Sequence, residues 1–348
     1  MTNLLAGANP SESAAEQTRS ALGWPKSATS AGAPAHEYCL LACLDDGPLS
    51  RSILDHSMAI ANALDLSVSV ARVIETQQQA GVPADPLEWQ VRRRESLDRF
   101  DYLIASPVRP VRRVLLSGSA ADELTGWATE NRASILALGT RAAPAGRAGL
   151  GGTVHRMLER GSASLLLVPA ECRSRLPYRR LLVPLDGSAR AESVLPIAVR
   201  IARAHKSELL LAHVVGRPEA TSLPCIETTA HALCARLVEQ NEQAARDYLD
   251  GLEARIWKEG LSARTVVMHG GDARVELVGL AQAQQADLII VASHGRSGMV
   301  EVPCGSVTEY LAAHAPSPLL IVRPSFDRGF AASADLEKGL LGLIAEPG

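Results

Sequence analysis

The sequence predicts an α/β protein made of two tandem open parallel sheets of Rossmann-like type, related by a pseudo-twofold axis. Three observations predict it. An internal repeat is visible, because Leu40-Leu-Ala-Cys-Leu-Asp45 recurs as Leu181-Leu-Val-Pro-Leu-Asp186, and a repeat sets the architecture before any motif does. Within each copy, short apolar runs alternate with segments of helical periodicity, which implies right-handed crossovers between parallel strands. The length, 348 residues, suits two domains at roughly 100–200 residues each.

Residues 1–36 are rich in Ala, Ser, Gly and Pro without apolar periodicity, and read as a leader. The two first-strand runs are short and continuously apolar, as strands buried on both faces are. Helical patterns follow at Ile53, Met58, Ile60 and Leu64, and at Val194, Ile197, Val199 and Ile201. Second strands are expected at Leu66–Ile74 and Glu208–Val215, then helices over about 86–104 and 227–258. Third strands are Val111–Ser117 and Ala263–His269, each running through a small-residue turn into a helix that carries Glu123-Leu or Glu276-Leu. Fourth strands are Ser134–Gly139 and Asp287–Ala292, followed by glycine-rich loops and helices from Thr153 and Ser306. Leu165–Val168 and Leu319–Val322 close the copies. Domains are therefore expected over 37–170 and 181–324, with 171–180 as an arginine-rich linker and 325–348 as a tail. In that tail, Leu336, Leu340, Leu343 and Ile344 suit a short amphipathic helix.

Composition narrows the classes. Hydrophobic residues make up 47% and charged residues 21%, values of a globular chain. A net charge of -3 leaves no global positive field for nucleic acid, and 3% aromatics leave little surface for stacking bases. Apolar runs such as Leu288–Ala292 are strand-sized, far below the roughly 18 residues that cross a bilayer, so no membrane role is expected. The N-terminus lacks a basic start followed by an apolar stretch. Six scattered cysteines make no disulfide framework, and a reducing cytoplasm is the expected compartment.

The turn after the fourth strand carries the chemistry. In the second copy Ala292-Ser-His-Gly295 is followed by nine residues and then by Gly305-Ser306-Val307. In the first, Gly139-Thr-Arg-Ala142 is followed by nine residues and then by Gly152-Thr153. Glycines let a backbone approach a phosphate closely, and a helix N-terminus offers free N–H groups with a favourable dipole. Ligands of open parallel sheets sit outside the carboxyl ends of the strands. Asp45 and Asp186, at first-strand ends, share that crevice. A carboxylate there repels phosphate, so each is expected to face a base or ribose, or to cap the turn into the next helix. Arg141 and Arg296 stand where they offset phosphate charge.

These residues resemble the universal stress protein family in its tandem form, over about 37–170 and 178–324. That family shows Gly-x-x-Gly, nine residues and Gly-Ser/Thr on such a fold. The resemblance implies an adenine-nucleotide alpha-hydrolase-like fold, pairing of the two domains through their last strands, and in some members ATP held at the turn. Carried over residue by residue, Pro184, Asp186 and Val214 match positions that contact adenosine. Ala292, Gly295, Gly305, Ser306 and Val307 match the phosphate and ribose loop, and His294 and Arg296 stand within it as further candidate binding residues. In the first copy the corresponding positions are Asp45, Val73, Gly139, Arg141, Gly152 and Thr153. ATP with Mg²⁺ is the implied ligand, mainly in the second domain, with binding regulatory and a homodimer as the further assembly. Both copies depart from the pattern: Ala292 replaces the first glycine of one, Ala142 the second glycine of the other, and Cys43 stands for Pro184. If that second glycine needs positive φ, Ala142 costs about 1–2 kcal/mol or rearranges the loop.

Competing readings use the same residues. The glycine turns also serve as plain chain reversals in a protein that acts through its surfaces. Slow ATP hydrolysis or adenylyl transfer needs further machinery, and the sequence holds none of the usual parts. No Gly-x-Ser-x-Gly elbow occurs, so His294 reads as a packing or hydrogen-bonding residue. The only lysines are Lys26, Lys206, Lys258 and Lys338, none near a turn, and the Walker pattern is absent. Cys225, His231 and Cys234, with His205 or His213, offer zinc-ligand types, though core packing explains them as well. The Arg92–Arg94 run and the linker arginines read as solvated faces.

Overall fold

The computed structural model describes residues 38–75, 86–104, 111–140, 150–172, 174–216, 227–295 and 304–324. The expected leader, the turn residues Arg141, Ala142 and Arg296, and the tail lie outside them. The first half runs β1 (Cys39–Cys43), α1 (Ser50–Leu64), β2 (Ser67–Ile74), α2 (Pro86–Ile104), β3 (Arg112–Ser117), α3 (Ala120–Glu130), β4 (Ala133–Thr140), α4 (Gly152–Arg160) and β5 (Ser164–Pro169). The second runs β6 (Arg180–Pro184), α5 (Ala189–Glu192), α6 (Leu195–His205), β7 (Glu208–Val215), α7 (Glu227–Lys258), β8 (Ala263–His269), α8 (Ala273–Ala283), β9 (Leu288–Ala292), α9 (Ser306–His314) and β10 (Leu319–Val322).

All ten strands form one sheet in the order β3-β2-β1-β4-β5-β10-β9-β6-β7-β8. Pairing is parallel within each half. At the centre β5 and β10 run antiparallel, with Leu319 opposite Leu167 and Ile321 opposite Leu165. The order reads the same from either edge, which is the expected pseudo-twofold. Matched backbones follow it. The non-glycine residues with positive φ among those described form two equivalent pairs, Asp65 with Lys206 and Arg132 with Gln285. Asp65 and Lys206 end α1 and α6, each a left-handed residue at a helix C-terminus.

Alternation along the strands sends side chains to two cores that both continue across the centre. Leu40, Ala42, Leu166, Leu320 and Leu181 face α1, α2, α6 and α7. Leu41, Leu136, Leu165, Ile321 and Leu182 face α3, α4, α8 and α9. The nearly unbroken apolar strand sequences follow from this double cover. Among the described residues no helix is long and apolar enough to cross a membrane.

The segment read as a solvated linker contributes a core residue. Tyr178 is fully buried between the halves; its ring stacks on His56 of α1 at 5.7 Å and meets His205 of α6 at 4.9 Å. Its hydroxyl lies 2.9 Å from His56 Nδ1. Two linker residues, Arg179 and Arg180, donate their backbone N–H groups to Asp287 Oδ2 at 2.7 and 3.0 Å, which fixes the start of β6 beside β9.

Candidate functional site

In the second half the site starts where β6 stops. Leu185 still donates its N–H to Ala212 O at 2.8 Å, one residue beyond half-buried Pro184, and the chain then turns at Asp186. Asp186 Oδ1 accepts the Ser188 N–H at 3.0 Å and the Ser188 hydroxyl at 2.6 Å. The Ser188 oxygen in turn accepts the Ala191 N–H at 3.1 Å and caps α5. Asp186 therefore caps the turn, as one of its two expected roles had it, and its other oxygen faces across the crevice. His213 Nδ1–H donates to Leu185 O at 2.8 Å and staples the end of β7 to the same turn, leaving Val214 beside it, half-buried.

The glycine turn meets this carboxylate. A Cβ added to Gly295 would lie 2.3 Å from Asp186 Oδ2, closer than any side chain tolerates. Gly295 is not among the glycines with positive φ, which are Gly118, Gly187, Gly260 and Gly270 among those described. The conditional expectation of a left-handed second glycine is thus corrected. Glycine is needed at 295 for clearance from Asp186 and not for backbone handedness, and the penalty assigned to Ala142 on grounds of φ loses its basis.

The turn is then fastened to α9. Gly305 N–H donates to Ser293 O at 2.8 Å, and an added Cβ at Gly305 would lie 3.5 Å from that oxygen. Thr308 Oγ1 donates to Ala292 O at 2.9 Å, and Ser293 N–H to Val322 O at 2.9 Å. Ser293 Oγ and His294 Nδ1 lie 3.1 Å apart. Gly305 is the N-cap of α9 and supplies no side chain to it, and Ser306 is exposed in the first turn. Val307 and Val214 pack against the same core. Pro184, Asp186, Val214, Ala292, His294, Gly295, Gly305, Ser306 and Val307 all lie at the carboxyl ends of β6, β7 and β9 or at the start of α9.

Two neighbours of this crevice are visible only in the structure. Tyr248 of α7 donates its hydroxyl to Glu192 Oε1 at 2.9 Å. Burial first, then Glu192 and Asp186, hold that phenol protonated far above its usual range. Cys304 is buried, and burial pushes its thiol up to about 11.

The first half keeps a cavity of about 1130 Å³ at the equivalent strand ends, and Asp45, Val73, Gly139, Gly152 and Thr153 all line it. Asp45 Oδ1 accepts the Gly47 N–H at 2.8 Å, the counterpart of the Asp186–Ser188 bond. A Cβ on Gly139 would meet Leu49 Cδ1 at 3.0 Å and Ile53 Cδ1 at 3.2 Å. Cys43, standing for Pro184, has its thiol pushed up by burial, out of the range in which thiolates form. Sequence reading missed an ion-pair bridge at the mouth, where Asp46 holds both Arg72 of β2 and Arg99 of α2. These arginines keep the Asp46 carboxyl low against the opposing effect of its own partial burial. The pair Asp45-Asp46 is visible in the sequence, but its partners come from remote elements. Among the described residues no group of three or more His, Cys, Asp or Glu is arranged to hold a metal. Cys225 lies outside the described residues, His231 and Cys234 are described only as backbone of α7, and His205 and His213 are engaged as above.

The fold defines a tandem α/β protein, with a cavity at the strand ends of the first half and the equivalent turn residues gathered at the strand ends of the second. A model of the universal stress protein family matches residues 40–169 and again 177–323, and the chain belongs to that family. A universal stress protein of Bacillus subtilis is 28% identical over 148 residues, spanning 42% of this chain and 99% of the relative. One from Methanocaldococcus jannaschii is 27% identical over 146 residues, spanning 42% of this chain and 82% of the relative. Among solved structures, a universal stress protein from Archaeoglobus fulgidus aligns with 82% of this chain and 98% of its own at a TM-score of 0.61. Its sequence is 18% identical, so the likeness is one of fold.

Proposed function

We propose that this protein binds ATP or a related adenine nucleotide in the crevice of its second half, and that occupancy regulates surfaces offered to a partner or to a second copy. The observation that carries this reading is the convergence of Asp186, Gly295 and Gly305 at the start of α9. Gly295 is kept free of a side chain where Asp186 crosses, and Gly305 leaves the first turn of α9 bare beside exposed Ser306. Open helix N–H groups and a nearby hydroxyl suit a phosphate. Asp186, Pro184 and Val214 line the side suited to ribose and adenine. Mg²⁺ would enter with the phosphates and be held by their oxygens and water, since it keeps several waters at such sites. The first-half cavity is the second place for the same ligand, with Asp45, Val73, Gly139, Gly152 and Thr153 as its lining.

The test is calorimetric titration of ATP with Mg²⁺ into the whole chain and into Gly305→Asp. Aspartate is a favourable N-cap residue, so the variant keeps or strengthens α9 while placing a carboxylate where phosphate belongs. Micromolar binding, about −8 kcal/mol, that disappears in the variant is the expected result. A stoichiometry near two that falls to one would show both halves at work. An absence of heat from protein shown free of bound nucleotide would overturn the reading and leave a protein acting through its surfaces.

A further inference from the structure

We infer that Arg323 is a positioning residue that links the glycine turn of the second half to helix α4 of the first, so that a ligand at the second turn stiffens the α4 end of the other crevice. This rests on the nucleotide reading above and adds to it a coupling between the two halves.

The chain of contacts is short. Ser293, first residue of the turn, donates its N–H to Val322 O at 2.9 Å. Val322 ends β10, and the next residue crosses to the other half. Arg323 N–H donates to Ser164 Oγ at 3.0 Å. Its guanidinium Nη2 donates to Met157 O at 3.1 Å and to Leu158 O at 2.7 Å. Both carbonyls lie in the last turn of α4; Met157 O also accepts the Gly161 N–H at 3.0 Å, while Leu158 O is one of the terminal carbonyls that the helix itself leaves without a donor. A cation there also complements the helix dipole. The opposite end of this nine-residue helix is Gly152-Thr153, in the wall of the first-half cavity. Arg323 Nε is buried without a hydrogen-bond partner. Such a group is costly to bury, so the guanidinium is held in place against a penalty and not resting on a wet surface.

The link has no counterpart on the other side of the pseudo-twofold. The register that places Gly139 on Ala292 and Gly152 on Gly305 places Ala170 on Arg323 and Ser164 on Ser317. Alanine cannot reach the end of α9. The Ser317 hydroxyl, equivalent to the one that accepts from Arg323, is buried without a partner. The pseudo-twofold is therefore broken at this contact. A phosphate held at the turn restrains Ser293, whose N–H already donates to Val322 O at 2.9 Å, and Val322 restrains the residue that caps α4. Stiffening one element through its packed neighbour couples two sites without any large movement.

Hydrogen–deuterium exchange of the whole chain tests this, with ATP and Mg²⁺ as the probe, in wild type and in Arg323→Met. In wild type, ATP should slow exchange at Ser293–Gly295 and, by about threefold, at Val154–Leu158 of α4. In Arg323→Met the turn should slow as before and α4 should not respond, whatever its exchange rate without ligand. A response of α4 that survives in the variant overturns the inference. So does a wild type in which the turn is protected and α4 is unmoved. If ATP protects neither region, the nucleotide reading itself has failed and the inference falls with it. Should Arg323→Met not fold, Arg323→Lys keeps the charge but replaces the guanidinium fork with a single ammonium, and an undiminished α4 response there overturns the inference equally.

Discussion

Acid should loosen the joint between the halves, and the reason lies at His56. Its ring is 3% exposed, stacked on Tyr178, with Nδ1 at the Tyr178 hydroxyl and Nε2 3.6 Å from Cys172 Sγ. Burial dominates over the attraction of Asp55 and Asp287 and holds the imidazole at about 4, below its ordinary 6.5. The folded state therefore binds fewer protons than the unfolded chain in this range. A histidine lowered in this way contributes stability that is fully present above 6.5 and is lost as pH falls from there toward 4. The gap corresponds to about 3 kcal/mol at the acid limit, and about 2 kcal/mol is already gone at pH 5. His205, lowered by burial against its bond to Ala59 O, acts with the same sign. The exposed carboxylate Asp272, held at about 2 by Arg274, titrates well below this window and does not confuse it. The assay is urea unfolding at pH 7.5 and pH 5.0 for wild type and His56→Gln. Wild type should lose at least about 2 kcal/mol between the two, and the variant should lose about 2 kcal/mol less. Stability curves that stay parallel in the two proteins would refute the reasoning, because His56 would then protonate without leaving its place.

Three further outcomes follow from the same contacts. Gly295→Ala must displace the Asp186 carboxylate from 2.3 Å, so we expect destabilisation of about 1–2 kcal/mol, relieved in the double variant with Asp186→Ala, as a double-mutant cycle by thermal unfolding would show. Tyr178→Phe removes the hydroxyl partner of buried His56 and should cost about 1–2 kcal/mol in urea unfolding, without altering the secondary structure seen by circular dichroism. Asp46→Asn breaks a bridge whose side chains Asp46 and Arg99 are 52% and 61% exposed, so its stability should change by less than about 1 kcal/mol in low-salt unfolding, and by less still at high salt.

The fold was legible because each strand is covered on both faces. Continuous apolar runs such as Leu181–Val183 and Leu288–Ala292 leave little choice of element, and the repeat doubles the evidence for each. Expected strand limits fall within a residue or two of those observed, as with Leu165–Val168 against Ser164–Pro169. Tyr178 was not legible. It sits among four arginines, a composition that signals solvent, and what buries it is His56, 122 residues away in the chain. Local composition reports solvation only where no remote element arrives to cover the segment.

The glycine spacing of the site was legible too, but the reason for one glycine was not. Positive φ and steric clearance leave the same mark on a sequence, and only the side chain that does the crowding separates them. At Gly295 that side chain is Asp186, supplied by the first strand of the same half. The comparison between halves extends the point. Asp45 and Asp186 make the same turn, accepting from Gly47 and Ser188 at equivalent positions. The residue between differs: Gly187 takes φ +75°, whereas Asp46, its counterpart, has no positive φ and reaches instead for Arg72 and Arg99. At the Arg72 position the second half has His213, which bonds to the Leu185 carbonyl. One turn is thus braced by charge and tied to α2, while the other is braced by a single imidazole hydrogen bond. The substitutions at 46 and 72 read singly as surface variation. Read as a pair they are one exchange of bracing, and they place the salt-sensitive mouth on the first crevice and leave the second governed by Asp186 and its glycine.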